Sequence, residues 1–199
     1  MNKKQNEDRL TKISKSLSYL LRHGAVKEKL PIDENGFIEL NKVLNHQRLK
    51  SYKTTIQDIQ TVVETNNKKR FSLRTLGETT FICANQGHSI EISNNNLVKL
   101  QPNEIPKIFH GTYKNKLPEI LNTGLNKMSR NHIHLTDNFE YIRKSCNALI
   151  FIDVEKCLAD DIIFYKSENN VYLTEGVNGI LEKKYFVNIT DRDLNPIQI

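Results

Sequence analysis

Apolar positions along the first hundred residues recur with two different periods. Leu10, Ile13, Leu17 and Leu21 are spaced three, four and four apart, the stripe of an amphipathic helix, and Gly24 is placed to close it as a left-handed C-terminal residue. Asp33-Glu34-Asn35-Gly36 reads as a turn before the short apolar piece Phe37-Ile38, and Asn41 is placed to cap a helix through Val43 and Leu44. Thr55-Ile56-Gln57-Asp58 is a capping box opening a further helix, with Ile56, Ile59, Val62 and Val63 inward. The period then shortens to two. Phe71 and Leu73 take one face of a strand and Arg70, Ser72 and Arg74 the other. Thr79 to Ala84 is its partner across Leu76-Gly77-Glu78, and Ile90-Glu91-Ile92 reads as another short strand. Helices followed by a β-hairpin describe a small winged-helix-like lobe.

The polar stretch from Asn94 to Pro106 carries two prolines and separates this lobe, residues 1–98, from a second, residues 99–199. Beyond it the pattern predicts strands at Ile108–Tyr113, His132–Thr136, Ala148–Val154, Ile162–Lys166, Val171–Thr174 and Lys184–Ile189. One helix is expected through Leu117, Ile120 and Leu121, closed by Gly124, and a second from Phe139 to Ser145. These strands are too closely spaced for a crossover helix after each, so the class is α+β rather than a doubly wound sheet.

Composition adds two constraints. Across 199 residues no apolar run approaches the roughly 20 a membrane span needs. Three cysteines, Cys83, Cys146 and Cys157, form no CxxC pair, and with no signal-like N-terminus the expected home is the cytoplasm. Charge is uneven: residues 1–100 hold 17 Lys and Arg against 10 Asp and Glu, residues 101–199 hold 12 against 13. A cationic lobe suits a polyanion, and a lysine-rich solubilising surface would look alike.

Several chemistries lack their signatures. The eight glycines form neither GxGxxG nor GxxxxGK[ST], and no Cys/His cluster has zinc spacing, so no metal is expected. What stands out instead is cationic and imidazole-rich. Arg22-His23 ends the first helix, where a guanidinium fork and a titratable donor can meet an anion or simply complement the helix dipole. Arg70 and Arg74 lie one strand period apart, a spacing that can track phosphates. Asn85-Gln86-Gly87-His88-Ser89 is a polar connection too long for a tight turn. In the second lobe His110-Gly111-Thr112 ends a strand, and Arg130-Asn131-His132-Ile133-His134 puts two histidines on one strand face. His110 and Thr112 can hydrogen-bond sugar hydroxyls, and Gly111 permits close backbone approach.

Leu20-Leu21-Arg22-His23, Gln86-Gly87-His88-Ser89, His110-Gly111-Thr112, Gly124-Leu125, Arg130 to Leu135 and Ser167-Glu168-Asn169 follow one another in an order and spacing that closely resembles the NAD-dependent RNA 2′-phosphotransferases, the KptA family. The likeness runs from about Ser14 to about Phe186. It implies an N-terminal winged-helix RNA lobe and a C-terminal lobe of the ADP-ribosyltransferase fold, which binds NAD without a Rossmann motif. The implied reaction moves a splice-junction 2′-phosphate from RNA to NAD through a 2′-phospho-ADP-ribosylated RNA. It leaves a 2′-hydroxyl, ADP-ribose 1″,2″-cyclic phosphate and nicotinamide. The resemblance implies that Arg22, His23, Arg70 and Arg130 are catalytic. It assigns His110, Gly111, Thr112, Gly124, Leu125, His132, His134 and Asn169 to NAD, and Arg74, Gln86, His88 and Ser89 to RNA. A monomer acting on tRNA-like RNA is expected. Two positions depart from the pattern: Cys83 stands where a basic residue is expected, and Asn170 replaces a common glycine, which Asn can do because it tolerates the left-handed region. The protein-modifying relatives' late glutamate is replaced here by an aliphatic residue, Val171 in this reading.

Two other readings stay open on the residues alone. HxT occurs twice, as His110-Gly111-Thr112 and His134-Leu135-Thr136, the signature of a metal-free two-histidine RNA phosphodiesterase. A winged-helix nucleic-acid-binding protein with a non-catalytic second lobe is the non-enzymatic alternative. NAD dependence separates the transferase from the phosphodiesterase, and loss of turnover with RNA binding kept in Arg130→Ala separates it from the binding protein.

Overall fold

The computed structural model describes residues 3–198. The chain divides into two compact units, Met1–Asn96 and Leu97–Ile199, and each has its own buried core.

The first unit opens with helix α1 (Lys3–Tyr19), whose Ile13 and Leu17 are fully buried. The helix does not stop at Gly24 as the pattern predicts. It widens into a π-helical turn, Leu20–Gly24, and Ala25 continues in helical conformation. The stop comes at Lys29, at φ +55°, where Leu30 N–H donates to Ala25 O (2.9 Å) and Lys29 N–H to Val26 O (3.2 Å), a Schellman closure. Gly24 is needed for a different reason: a Cβ there would lie 2.5 Å from Cε1 of Tyr19, whose ring packs against the turn.

Helix α2 (Leu40–Leu44) contains Asn41 rather than being capped by it; Glu39 holds the cap position and makes no side-chain cap bond. A short helix α3 (Gln47–Lys50), not expected from the pattern, is capped by His46 Nδ1, which accepts from Arg48 N–H. Helix α4 (Ile56–Thr65) begins with the expected capping box: Asp58 N–H donates to Thr55 Oγ1 and Thr55 N–H to Asp58 Oδ2. Ile59 and Val62 are buried, but Ile56, at the first helical position, is about half exposed. Strands β1 (Phe37–Glu39), β2 (Phe71–Leu76) and β3 (Thr79–Ala84) form an antiparallel sheet in the order β1-β3-β2. Ile90–Ile92 is irregular rather than a strand, because β3 already has β1 and β2 on its two edges. Ile90 instead packs against the core.

The second unit is built of short antiparallel strands. Val98–Lys99 (β4), Tyr165–Lys166 (β9), Tyr172–Thr174 (β10) and Ile133–Leu135 (β7) form one sheet, in the order β4-β9-β10-β7. Phe186–Thr190 (β12), Ala148–Ile152 (β8) and Phe109–Thr112 (β5) form another, with all five residues of β8 buried. Leu125–Asn126 (β6) pairs with Ile180–Leu181 (β11). Helix α5 (Leu117–Thr123) ends at Gly124, φ +84°, as expected. The predicted strand over Ala148–Val154 stops at Ile152, because Asp153 caps helix α6 (Val154–Ala159) through Lys156 N–H. No helix forms from Phe139 to Ser145; the segment is a run of turns pinned by Ile142, which packs against Phe109, Leu149 and Phe151. The whole is a mixed α+β architecture of small sheets, and no described helix is long and apolar enough to cross a membrane.

Candidate active site

In the first unit the π-helical turn carries Arg22 and His23. Ser89 fastens it: its N–H donates to Arg22 O (2.9 Å), and its Oγ lies 2.8 Å from His23 Nδ1. That contact orients the imidazole, leaving Nε2 as the nitrogen Ser89 does not engage. The Arg22 side chain lies over Gly87, which is at φ +87° and whose Cβ position is 3.7 Å from the Arg22 Cδ, Nε and Cζ atoms. The polar connection 85–89 is therefore the support of the Arg22-His23 turn.

Arg70 sits one residue before β2 and is half-buried, and its Nη1 donates to Asn66 Oδ1 at 2.8 Å. Burial holds its guanidinium pKa below the usual value. Asn66 also accepts from Lys68 N–H, while Asn85 N–H donates to Arg70 O, so the 66–70 loop is held at both ends. A groove of about 760 Å³ between α1 and this loop is lined by both His23 and Arg70. Arg74 lies further along β2 and is exposed. Gln86 is partly buried, and His88 is 8% exposed, its Nε2 3.3 Å from where a Cβ at Gly36 would be. Cys83 is 5% exposed on the central strand, opposite both Phe37 and Ser72, an interior position that suits a small apolar side chain.

In the second unit His110 Nδ1 donates to His134 O at 2.9 Å, since a carbonyl can only accept. This fixes the tautomer and leaves Nε2 of the neutral ring as an acceptor. Burial pushes the His110 pKa down from 6.5; the bond to His134 O opposes this, and the cation of Arg130 adds to it. His132 is 8% exposed, and its Nε2 has no hydrogen-bond partner among the described residues. Glu175 Oε1 stands 3.9 Å away, too long for a hydrogen bond, and the Tyr165 ring is edge-on at 6.0 Å. Burial lowers the His132 pKa, with Glu175 opposing and Lys127 reinforcing the shift. Thr112 and Asn169 are buried, Asn169 accepting from Ser167 Oγ at 2.7 Å. Asn170 takes φ +59°, the left-handed conformation expected of it.

Gly111, Gly124 and Leu125 have structural duties of their own. A Cβ at Gly111 would lie 2.6 Å from Ile142 Cγ2, and one at Gly124 2.7 Å from both Ile180 Cγ2 and Leu181 O; Leu125 is buried in the core. Arg130 follows β6, and its pKa is lowered by burial and by the nearby cation of Arg143. The pattern did not single out Arg143. It lies on the turn that Ile142 pins against Gly111, and Arg192 Nη1 donates to its carbonyl. Neither Arg130 nor Arg143 is ion-paired among the described residues, and two neighbouring uncompensated guanidiniums favour an anion. Among the described residues no three His, Cys, Asp or Glu side chains gather as a metal-binding group.

Comparison with known proteins agrees with this cation-rich, imidazole-rich chemistry. The family profile described as "RNA 2′-phosphotransferase, Tpt1 / KptA family" matches residues 8–176. The chain is 40% identical to the tRNA 2′-phosphotransferase of Saccharomyces cerevisiae, over 95% of this chain and 90% of that protein. It is 39% identical to tRNA 2′-phosphotransferase 1 of Bos taurus, over 92% of this chain and 76% of that one. A probable RNA 2′-phosphotransferase of Flavobacterium johnsoniae is 36% identical, over 86% and 94%. Similarity of this extent along nearly the whole chain makes it an enzyme of the RNA 2′-phosphotransferase, Tpt1 / KptA family.

Proposed function

We propose that this enzyme removes an internal 2′-phosphate from spliced, tRNA-like RNA by transferring it to NAD. The observation that carries the reading is that His23 and Arg70 line one groove, with Arg22 on the same π-helical turn, in a chain of this family. In this reading the first unit is a winged-helix-like RNA lobe and the second a NAD lobe of the ADP-ribosyltransferase type.

The 2′-phosphate carries nearly two negative charges and gains more crowding and charge when its phosphorus is attacked. Arg22 and Arg70 hold its oxygens with permanently charged forks, a stabilisation that is largest where burial has already removed water from the guanidinium, and Arg130 of the second unit is the third candidate catalytic arginine. His23, oriented through Nδ1 by Ser89, hydrogen-bonds a phosphate oxygen or moves its proton. The residues of the second unit fit NAD. The buried His132 Nε2 has no hydrogen-bond partner among the described residues, and a ligand hydroxyl or amide can supply one; neutral His110 offers an acceptor for a ribose hydroxyl. NAD supplies the electrophilic ribose carbon and nicotinamide as leaving group.

The test is to mix the protein with an internally 2′-phosphorylated oligonucleotide, with and without NAD, and follow RNA phosphate and free nicotinamide together. Matched, NAD-dependent loss of phosphate and release of nicotinamide are expected. Phosphate loss that ignores NAD would replace this reading with hydrolysis. Arg130→Ala is expected to lower turnover at least about 100-fold, the scale of one transition-state anion contact, with RNA still bound.

A further inference from the structure

We infer that the groove along α1 binds the RNA strand next to the reacting nucleotide, with Lys15 and Lys68 neutralising its backbone phosphates. This rests on the reading that His23 and Arg70 meet the 2′-phosphate, because both line the same groove. One wall is a face of α1 that includes Glu7, Ser14, Lys15 and Ser18; the other is the end of α4 and the 66–70 loop, which carries Lys68. From Glu7 to His23 is 16 residues, roughly 24 Å of helical rise, enough for several nucleotides on one side of the reacting phosphate. The charge is complementary: besides His23 and Arg70 the walls carry two lysines against the single carboxylate of Glu7, which lies a helix length from His23. Lys15 is exposed, while the backbone N–H of Lys68 is tied to Asn66, the residue that also holds Arg70, so the loop cation is placed by the same anchor as the candidate catalytic one. Ser14 and Ser18 add hydroxyls suited to phosphate oxygens and the ribose 2′-hydroxyl.

The experiment uses the full chain, a single-stranded RNA of about a dozen nucleotides with one internal 2′-phosphate, and NAD. Lys15→Glu/Lys68→Glu is expected to raise KM for this RNA at least about tenfold. It is also expected to flatten the dependence of RNA affinity on salt by about 1.4 in log–log slope, about 0.7 for each lost phosphate contact. The milder Lys15→Gln/Lys68→Gln pair shifts both quantities the same way, which guards against a fold disturbed by charge reversal. Lys42→Gln, on the exposed side of α2, changes neither. The inference is overturned if both double variants keep KM within twofold and the wild-type salt slope. If the wild type shows no NAD-dependent turnover, the functional reading fails separately, and RNA affinity read by fluorescence anisotropy still decides the groove.

Discussion

At the residue scale the most informative side chain is His110. Its Nδ1–H is committed to His134 O, so the neutral ring has one acceptor, Nε2, to offer a ribose hydroxyl. An imidazolium has none. Because burial and the Arg130 cation hold the pKa below 6.5, the neutral form persists through neutral and mildly acidic pH. KM for NAD is therefore expected to stay flat from pH 8 to pH 6.5 and to rise only as the pH falls further. A rise centred at or above pH 6.5 would contradict the role. Several residue-scale features were legible in the sequence. Asn170 takes the left-handed conformation and Gly124 ends its helix, whereas Ser89, which the resemblance assigned to RNA, lies against His23. Others were not: His88 is buried beside Gly36, and Arg143 joins Arg130 through a turn that no periodicity reports.

At the scale of single elements, the stripe on α1 and the Thr55–Asp58 capping box were readable because both depend on local spacing. The π-helical turn was not, since it depends on where the Tyr19 ring lies. That ring packs against Gly24, carries the Arg48 guanidinium over its face at 4.2 Å, and donates its hydroxyl to Glu28 Oε1 at 3.3 Å. Tyr19 is thus a positioning residue for Arg22 and His23. Gly24→Ala is expected to displace the ring and lower kcat at least about tenfold while KM for NAD holds, and Tyr19→Ala, which removes the ring, is expected to lower kcat in the same way. A Gly24→Ala enzyme with normal kcat would remove Tyr19 from this role. A second clamp joins α1 to the cap of α4, where Arg9 donates to both Asp58 oxygens, at 2.8 and 2.6 Å. With help from Thr55 it depresses the Asp58 pKa from 3.8 to about 2. A depressed carboxylate stabilises the fold fully above its unfolded pKa and loses that contribution as the pH falls through the folded one. Asp58→Asn is therefore expected to cost about 1–2 kcal/mol at pH 7, after allowing for partial exposure, and the difference should shrink between pH 4 and pH 2. Chemical denaturation of both proteins across that range measures it.

At the scale of the whole molecule, charge and core divide the chain in the same way. The core of the first unit is drawn from Ile13 through Ala84, that of the second from Leu100 through Ile189. The excess of Lys and Arg lies entirely in residues 1–100. A unit that closes its own core and ties α1 to α4 by an ion pair has what a domain of about a hundred residues needs to fold alone. A chain ending at Asn96 is therefore expected to melt cooperatively and to bind single-stranded RNA with strong salt dependence, because counterion release follows the cationic groups it keeps. It should release no nicotinamide from NAD, since His110, Arg130 and His132 lie beyond its end. A fragment that folds but shows no salt-dependent affinity would mean that the positive charge of residues 1–100 is only a solvated surface. RNA recognition would then have to be sought in the second unit, whose charges balance, and would depend on placed hydrogen bonds rather than on charge.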